Sequence, residues 1–210
     1  MTIGENETIT TILRGVLTRE GWPTYTDHHH DRGGPTKGGI TLRTLEAARG
    51  RRCNRQELRR LTEEEALQIL RKNYTSQQGI YRLIDLPILT QVIDSAVLSG
   101  CVHAAKDLQT AVGAVADGII GPRTMAKVHA CDPSALAVSV AVARAKRLCG
   151  FVATNRERFK EEVAAVEKIG DLRTLVRKDK DQSVFLKGWM NRVLQFALDA
   201  QDDHAEEATD

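Results

Sequence analysis

At 210 residues the chain is long enough to bury a core without disulfide or metal staples, as one compact domain or two small lobes. Apolar residues at 41% and charged residues at 28% exclude a disordered chain, and aromatics at only 4% leave the core to Leu, Val, Ile and Ala. A formal charge of +2 does not choose among anionic polymers as partners. Basic residues gather at Arg49, Arg51, Arg52, Arg55, Arg59 and Arg60. Such a run reads first as a solvated helix–loop face and second as a patch for an anionic polymer. The four cysteines, Cys53, Cys101, Cys131 and Cys149, show neither CxxC nor Cys/His metal spacing. Cys101 and Cys149 sit among apolar residues and read as buried thiols rather than bridge partners, with a reducing compartment the simpler reading and a single bridge the alternative. The stretch Met1 to Thr11 lacks the basic-then-apolar pattern of a signal peptide, and no apolar run reaches membrane-spanning length.

In chain order, Ile9, Ile12, Leu13, Val16 and Leu17 recur at helical spacing and predict an amphipathic helix. Glu20 continues the same face, and Gly21 and Pro23 end the helix just after it. Residues 21–41 are rich in turn-formers, with Thr24 to Thr26 and Ile40 to Thr41 suited to short strands. One small β-hairpin with a glycine-rich turn is expected there. Thr41 caps a helix that stops at Gly50. Thr62-Glu63-Glu64-Glu65 is a capping-box sequence before Ala66 to Leu70. Leu86 to Ser99 reads as an apolar helix with Pro87 in its first turn and Gly100 at its end, and His103 to Val112 follows. Pro122 opens a short helix, residues 133–168 read as one long helix or two, and Gln182 to Ala200 as the last. The acidic tail Asp202 to Asp210 is expected to fray. The fold class is therefore mainly α (α+β), with one small β element near the N-terminus.

The chemistry concentrates in Glu20-Gly21 … Asp31-Arg32-Gly33-Gly34-Pro35-Thr36-Lys37-Gly38-Gly39-Ile40-Thr41. Glycoside hydrolysis needs one carboxylic acid to protonate the leaving oxygen and a second carboxylate for water, sugar or charge. An apolar setting favours the protonated acid, and a polar loop favours the ionised partner. Glu20, on the apolar face, and Asp31, between His30 and Arg32, are two carboxyls in such unlike settings. Thr36 could hold a water beside Asp31. On residue chemistry alone, a solvated helix-end Glu and a turn Asp are the commoner readings.

The pattern Glu-Gly … Asp-x-Gly-Gly-x-Thr-x-x-Gly-Ile-Thr resembles the signature of glycoside hydrolase family 108, N-acetylmuramidases of phages, prophages and bacteria. The likeness continues through Leu86-Pro87 and Asp94-Ser95-Ala96-Val97-Leu98-Ser99-Gly100. Lys106-Asp107-Leu108-Gln109 with Asp117-Gly118-Ile119-Ile120-Gly121-Pro122-Arg123-Thr124 resembles that family's C-terminal peptidoglycan-binding segment. Phe185-Leu186-Lys187-Gly188-Trp189-Met190-Asn191-Arg192 resembles its closing element. Residues 9–195 are covered, in order. The chain departs from the family at Gly21-Trp22-Pro23-Thr24-Tyr25, which inserts residues before Tyr25, at Gly38, where an aromatic is common, and at Leu98, where Asn is frequent.

The resemblance implies a lysozyme-like fold and hydrolysis of the β-1,4 bond after N-acetylmuramic acid, with Glu20 as acid. By analogy with phage-type lysozymes, Asp31 and Thr36 become the water-positioning pair. Tyr25, His29, Lys37 and Thr41 are the candidate sugar-contacting residues. The implied division is a catalytic lobe over 1–95, a helical peptidoglycan-binding region over 96–200 and the tail 201–210. No cofactor is expected, since two carboxyls and water suffice. The expected partner is the peptidoglycan glycan strand, with no nucleic acid and no stable membrane insertion, acting as a monomer. An endolysin made in the host cytoplasm and released through a holin or on a virion fits this reading. The rival readings are a non-catalytic wall-binding or regulatory protein on the same fold, and a helical nucleic-acid binder resting on the arginine cluster. The triplet His28-His29-His30 invites a metal, but neighbouring strand residues face opposite ways, and a solvated or sugar-facing loop is preferred. Asp117-Gly118 and Gly121-Pro122 read as turn builders first, and Trp189 as core.

Overall fold

The computed structural model describes residues 3–27, 34–152, 191–196 and 198–199. The chain divides into two compact units, Met1–Gln77 and Gln78–Asp210. The first begins with α1 (Ile3–Arg19), whose buried stripe is Ile9, Ile12, Leu13, Val16 and Leu17, as the periodicity requires. Three two-residue strands follow, β1 (Tyr25–Thr26), β2 (Thr36–Lys37) and β3 (Ile40–Thr41), in the antiparallel order β1-β2-β3. Then come α2 (Leu42–Arg49), α3 (Arg55–Arg59) and α4 (Glu63–Leu70), the last running into a π-helical turn at Arg71–Thr75. α4 packs on α1, and that packing is flanked by Arg71 donating to Thr10 at 2.8 Å and by the Arg14–Glu63 pair at 2.9 Å.

The expected hairpin is thus a small three-stranded sheet. β1 and β3 each pair with β2, which lies between them: Thr26 faces Thr36 and Tyr25 faces Lys37, while Lys37 faces Ile40 and Thr36 faces Thr41. A strand of two residues held between Pro35 and Gly38 has no alternation to read.

Side chains cap the helices of this unit. Thr41 accepts from the Thr44 amide ahead of α2, which ends at Gly50 in the left-handed region. Thr62 accepts from the Glu65 amide, but the Glu65 carboxylate is taken by Arg49 in a two-pronged contact at 2.7 and 2.8 Å. The reciprocal capping box stands instead at Asn54 and Glu57.

The arginine cluster is largely matched by internal carboxylates. Arg49 also reaches Glu57, Arg51 meets Glu57 at 2.6 Å, and Arg55 meets Asp27 at 3.0 Å. The Arg51 hydrogen bond holds the Glu57 carboxyl below its ordinary value of 4.5, and the Arg49 hydrogen bond does the same for Glu65. Folded values below unfolded ones stabilise the fold above the unfolded value, and the gain is lost as pH falls through the folded ones. Thermal melts taken downward from about pH 6 should therefore lose stability below the ordinary carboxylate range. A Glu57→Gln/Glu65→Gln chain should show a shallower acid slope, and an unchanged slope would refute the assignment.

The second unit holds a 3-10 turn at Ile80–Arg82, α5 (Leu86–Ser99), α6 (Cys101–Ala111), α7 (Pro122–His129), α8 (Pro133–Val152) and helical residues 191–196. α5, α6 and α8 pack on one another. Pro87 sits in the first turn of α5, Asp85 caps it through the Ile88 amide, and Gly100 breaks it from α6. The core is Ile88, Val92, Ile93 and Ala96 of α5 against Ala104, Ala105 and Leu108 of α6 and Leu136, Val140 and Ala141 of α8.

Within this apolar packing lies a charged network. Asp94, fully buried, accepts from Arg144 at 2.6 Å and from Arg192 Nε at 2.7 Å, with a further short contact from Arg192 Nη2. Asp107 accepts from Ser95 at 3.3 Å and from Arg147 at 2.8 Å. Arg144 is 1% exposed, and its Nε and Nη1 make no hydrogen bond among the described residues.

The Asp117–Gly118 segment is built as a turn. Buried Gln109 donates to Asp117 at 2.7 Å and to the Ile119 carbonyl at 3.0 Å, and accepts from the Gly118 amide at 2.8 Å. Cys101 is half-buried, and desolvation pushes its thiol above the ordinary value. The helical expectation beyond Val152, the start and end of the last helix, Trp189 and the acidic tail lie outside the described residues. Among the described residues no helix is long and apolar enough to cross a membrane.

Candidate active site

Glu20 owes its placement to the way α1 ends. The Glu20 amide donates to Val16 at 2.9 Å, the Gly21 amide to Thr18 at 3.1 Å and the Trp22 amide to Leu17 at 3.0 Å. With Gly21 at φ 82°, this is a Schellman ending in which Glu20 is the C-cap residue. A residue with a β-carbon is disfavoured at such a φ, so the Gly following Glu20 fixes where the carboxyl stands. The buried stripe of α1 leads up to Glu20, which is itself half-buried.

The β2–β3 turn folds onto this helix end. Lys37 pairs with Ile40, and Gly38 and Gly39 between them both have positive φ, 52° and 77°. That is the two-residue type I′ hairpin, which two glycines satisfy. The Gly38 amide donates to the Thr24 carbonyl at 3.2 Å. A β-carbon on Gly38 would lie 2.6 Å from the Trp22 ring, and one on Gly39 would lie 3.4 Å from Glu20 Oε2. The turn therefore stacks on Trp22 and Glu20 with no side chain between. Gly39→Ala should combine backbone strain of about 1–2 kcal/mol with displacement of the Glu20 carboxyl. Activity on cell walls should fall by more than the loss in melting temperature explains. Full activity at unchanged stability would show that the turn does not position Glu20.

The other candidates fall into three groups. Thr36 stands on β2 with its hydroxyl 2.8 Å from that of Thr26, across the β1–β2 pair. Tyr25 presents its ring to the Arg59 guanidinium at 4.5 Å and donates its hydroxyl to Asp27 at 3.0 Å. Desolvation, then the Asp27 carboxylate, pushes the Tyr25 phenol above its ordinary value. Lys37 and Thr41 are engaged in building the site. Lys37 Nζ donates to the carbonyls of Arg59 and Leu61 at 2.7 and 2.8 Å and lies 4.9 Å from the Trp22 ring centre. The Thr41 hydroxyl caps α2 and lies 2.9 Å from that of Thr44. Asp31 and His29 lie outside the described residues.

Several members of the site escape sequence reasoning. Asp27, Arg55 and Arg59 surround Tyr25, and Trp22 supports both Lys37 and Gly38. The pairing of Tyr25 with Lys37 is the signal that could have found them, and it depends on a register set by β2. Among the described residues no three His, Cys, Asp or Glu gather as a metal site, and His28-His29-His30 lie outside them.

A carboxyl on a rigid helix end, beside a side-chain-free turn and a threonine-bearing strand, is an arrangement suited to acid catalysis on a glycosidic oxygen. Residues 13–100 match the Glycosyl hydrolase 108 family. The chain carries this hydrolase segment and, over residues 103–194, a match to the family described as a predicted peptidoglycan domain. The glycosyl hydrolase 108 segment thus holds Glu20, the sheet and α5, and the peptidoglycan segment holds Gln109, Arg144 and Arg192. Among solved structures, Brucella abortus SagA is similar at 28% identity with a TM-score of 0.65, over 94% of this chain and 95% of that one. No curated protein matches the chain. Together these matches support a peptidoglycan-acting, lysozyme-like function of the glycoside hydrolase kind.

Proposed function

We propose that the chain is a muramidase that hydrolyses the β-1,4 bond between N-acetylmuramic acid and N-acetylglucosamine, as an endolysin of phage or prophage type. The observation that carries this reading is that a β-carbon on Gly39 would meet the Glu20 side chain, so that only a glycine turn leaves the carboxyl its place, within a glycosyl hydrolase 108 segment. In the reaction Glu20 gives its proton to the leaving oxygen as the glycosidic bond breaks. The Asp31 carboxylate and the Thr36 hydroxyl hold the water, whose oxygen joins the anomeric carbon while the proton it sheds passes to the Asp31 carboxylate. Tyr25 and His29 are assigned to sugar binding, while Lys37 and Thr41 serve it by fixing the hairpin and α2. Catalysis belongs to about residues 1–95, with every group named in the reaction between residues 20 and 41, and wall binding to about residues 96–200, in the order of the family segments.

Digestion of purified peptidoglycan is the test. Muropeptides with new reducing N-acetylmuramic acid ends and no new free amino groups are expected. New amino groups would mean that a peptide or amide bond is cut. Anhydro-muramic ends would mean a lytic transglycosylase, in which the sugar's own hydroxyl replaces water. Wall binding with no cleavage would make the chain a binding protein.

A further inference from the structure

The second unit carries a cavity of about 390 Å³, within the size range of small-ligand sites. Leu83 and Ile84 line it from the segment before α5, Ile88 from α5, and Met125, Val128 and Pro133 from α7 and the start of α8. Its ionisable members are Asp85, His129 and the Cys131 thiol. Among the described residues no Phe, Tyr or Trp lines it, and the ring it does hold is the His129 imidazole. Ile84, 77% exposed, and the neighbouring Leu86, 52% exposed, are unusually bare for their size.

This lining does not suit a sugar ring. Carbohydrate offers hydroxyls on every edge and needs convergent hydrogen-bonding groups or an aromatic face, and this cavity has neither in quantity. It suits an aliphatic chain. Asp85 adds a carboxylate, of which one oxygen caps α5 through the Ile88 amide at 3.2 Å and the other is uncommitted among the described residues. An aliphatic chain ending in an ammonium group fits both features. Peptidoglycan presents that chemistry at the diamino acid of its peptide stems.

We propose that this cavity binds the peptide stem of peptidoglycan, with the aliphatic part of the diamino acid against Ile84, Ile88 and Val128 and its free ammonium at Asp85. The inference rests on the peptidoglycan-acting reading and assigns the second unit to peptide rather than glycan. Two partly separate recognitions follow: the first unit cuts sugar, and the second reads stems whose amine is not cross-linked.

The test uses the full chain and three probes: a synthetic stem pentapeptide with its side-chain amine free, the same peptide acetylated on that amine, and glycan strands stripped of peptide by an amidase. Calorimetry should show binding of the free-amine peptide, with affinity weakened on the order of tenfold by acetylation, the cost of one charge-assisted hydrogen bond. Asp85→Asn retains a good helix cap and should weaken the free-amine peptide by a similar factor while leaving the acetylated peptide unchanged. Ile84→Ser, at an exposed position, should weaken both peptides. Both variants should cut peptide-free glycan strands at the wild-type rate, which tests the glycosidase reading without this cavity. Equal binding of both peptides, no binding of either, or an Asp85→Asn chain that binds normally would overturn the proposal, whatever the cleavage assay shows.

Discussion

Glu20→Gln is expected to lower kcat on cell walls by about 10²–10⁴-fold, the usual contribution of a general acid. Gln keeps the shape of Glu and can occupy the same C-cap position after Val16 and Leu17. It cannot give up a proton to a leaving oxygen. That transfer develops only in the transition state, so binding of intact walls should stay near the wild-type value while turnover collapses. The melting temperature should move little, because the Schellman ending depends on the backbone of Glu20 and the freedom of Gly21 rather than on the carboxyl charge. Near wild-type turnover by a folded Glu20→Gln chain would sink the mechanism. Asp31→Asn should also cost activity, and Thr36→Ala the least of the three, since the hydroxyl positions water without carrying charge.

The largest stability effect is expected at Asp94. This carboxylate is fully buried and joins Arg144 of α8 and Arg192 of the last helix to α5. Asp94→Ala leaves Arg144, 1% exposed, with its countercharge gone in the apolar core. Burial already pushes the Arg144 guanidinium below its ordinary value, and the Asp94 charge is what chiefly opposes this. Removing one partner of a buried pair costs about 3–5 kcal/mol, more than the pair itself contributes. Denaturant melts should therefore show Asp94→Ala strongly destabilised, and Asp94→Leu combined with Arg144→Met partly restored, since the Arg192 contact with Asp94 is still lost. A single variant within about 1 kcal/mol of wild type would show that water or rearrangement relieves the charge.

The parts of this fold that could be read from sequence are those decided by neighbours. Ile9 to Leu17 declare α1 by period, Thr41 and Gly50 bracket α2, and Pro87 and Gly100 bracket α5. Placement of Glu20 at the end of a buried stripe follows from the same local logic. What was illegible is decided by distant partners. Glu65 looks like half of a capping box, yet its carboxylate goes to Arg49 because a bidentate arginine outcompetes a backbone amide. The Asn54–Glu57 box lacks the apolar run that would have advertised it. Lys37 reads as a cation available for sugar, but carbonyls at Arg59 and Leu61, brought close by the sheet, take its ammonium. Asp94 and Arg192 are 98 positions apart, and nothing in either motif names the other.

Helix α5 falls inside the glycosyl hydrolase 108 match, which ends at residue 100, while its packing partners α6 and α8 lie beyond that boundary. The family border and the chain's seam at Gln77–Gln78 are thus offset by α5 and the 3-10 turn before it. A gene fusion joining a foreign wall-binding segment after residue 100 would inherit α5 with Ile88, Val92, Ile93 and Ala96 stripped of their cover. An exchange at Gln77–Gln78 would transfer the helix together with the neighbours it is packed against. Shuffling of wall specificity among such proteins is therefore expected to tolerate crossovers at the seam and to reject them at the border, an outcome that a small library of chimeras scored for soluble expression would reveal.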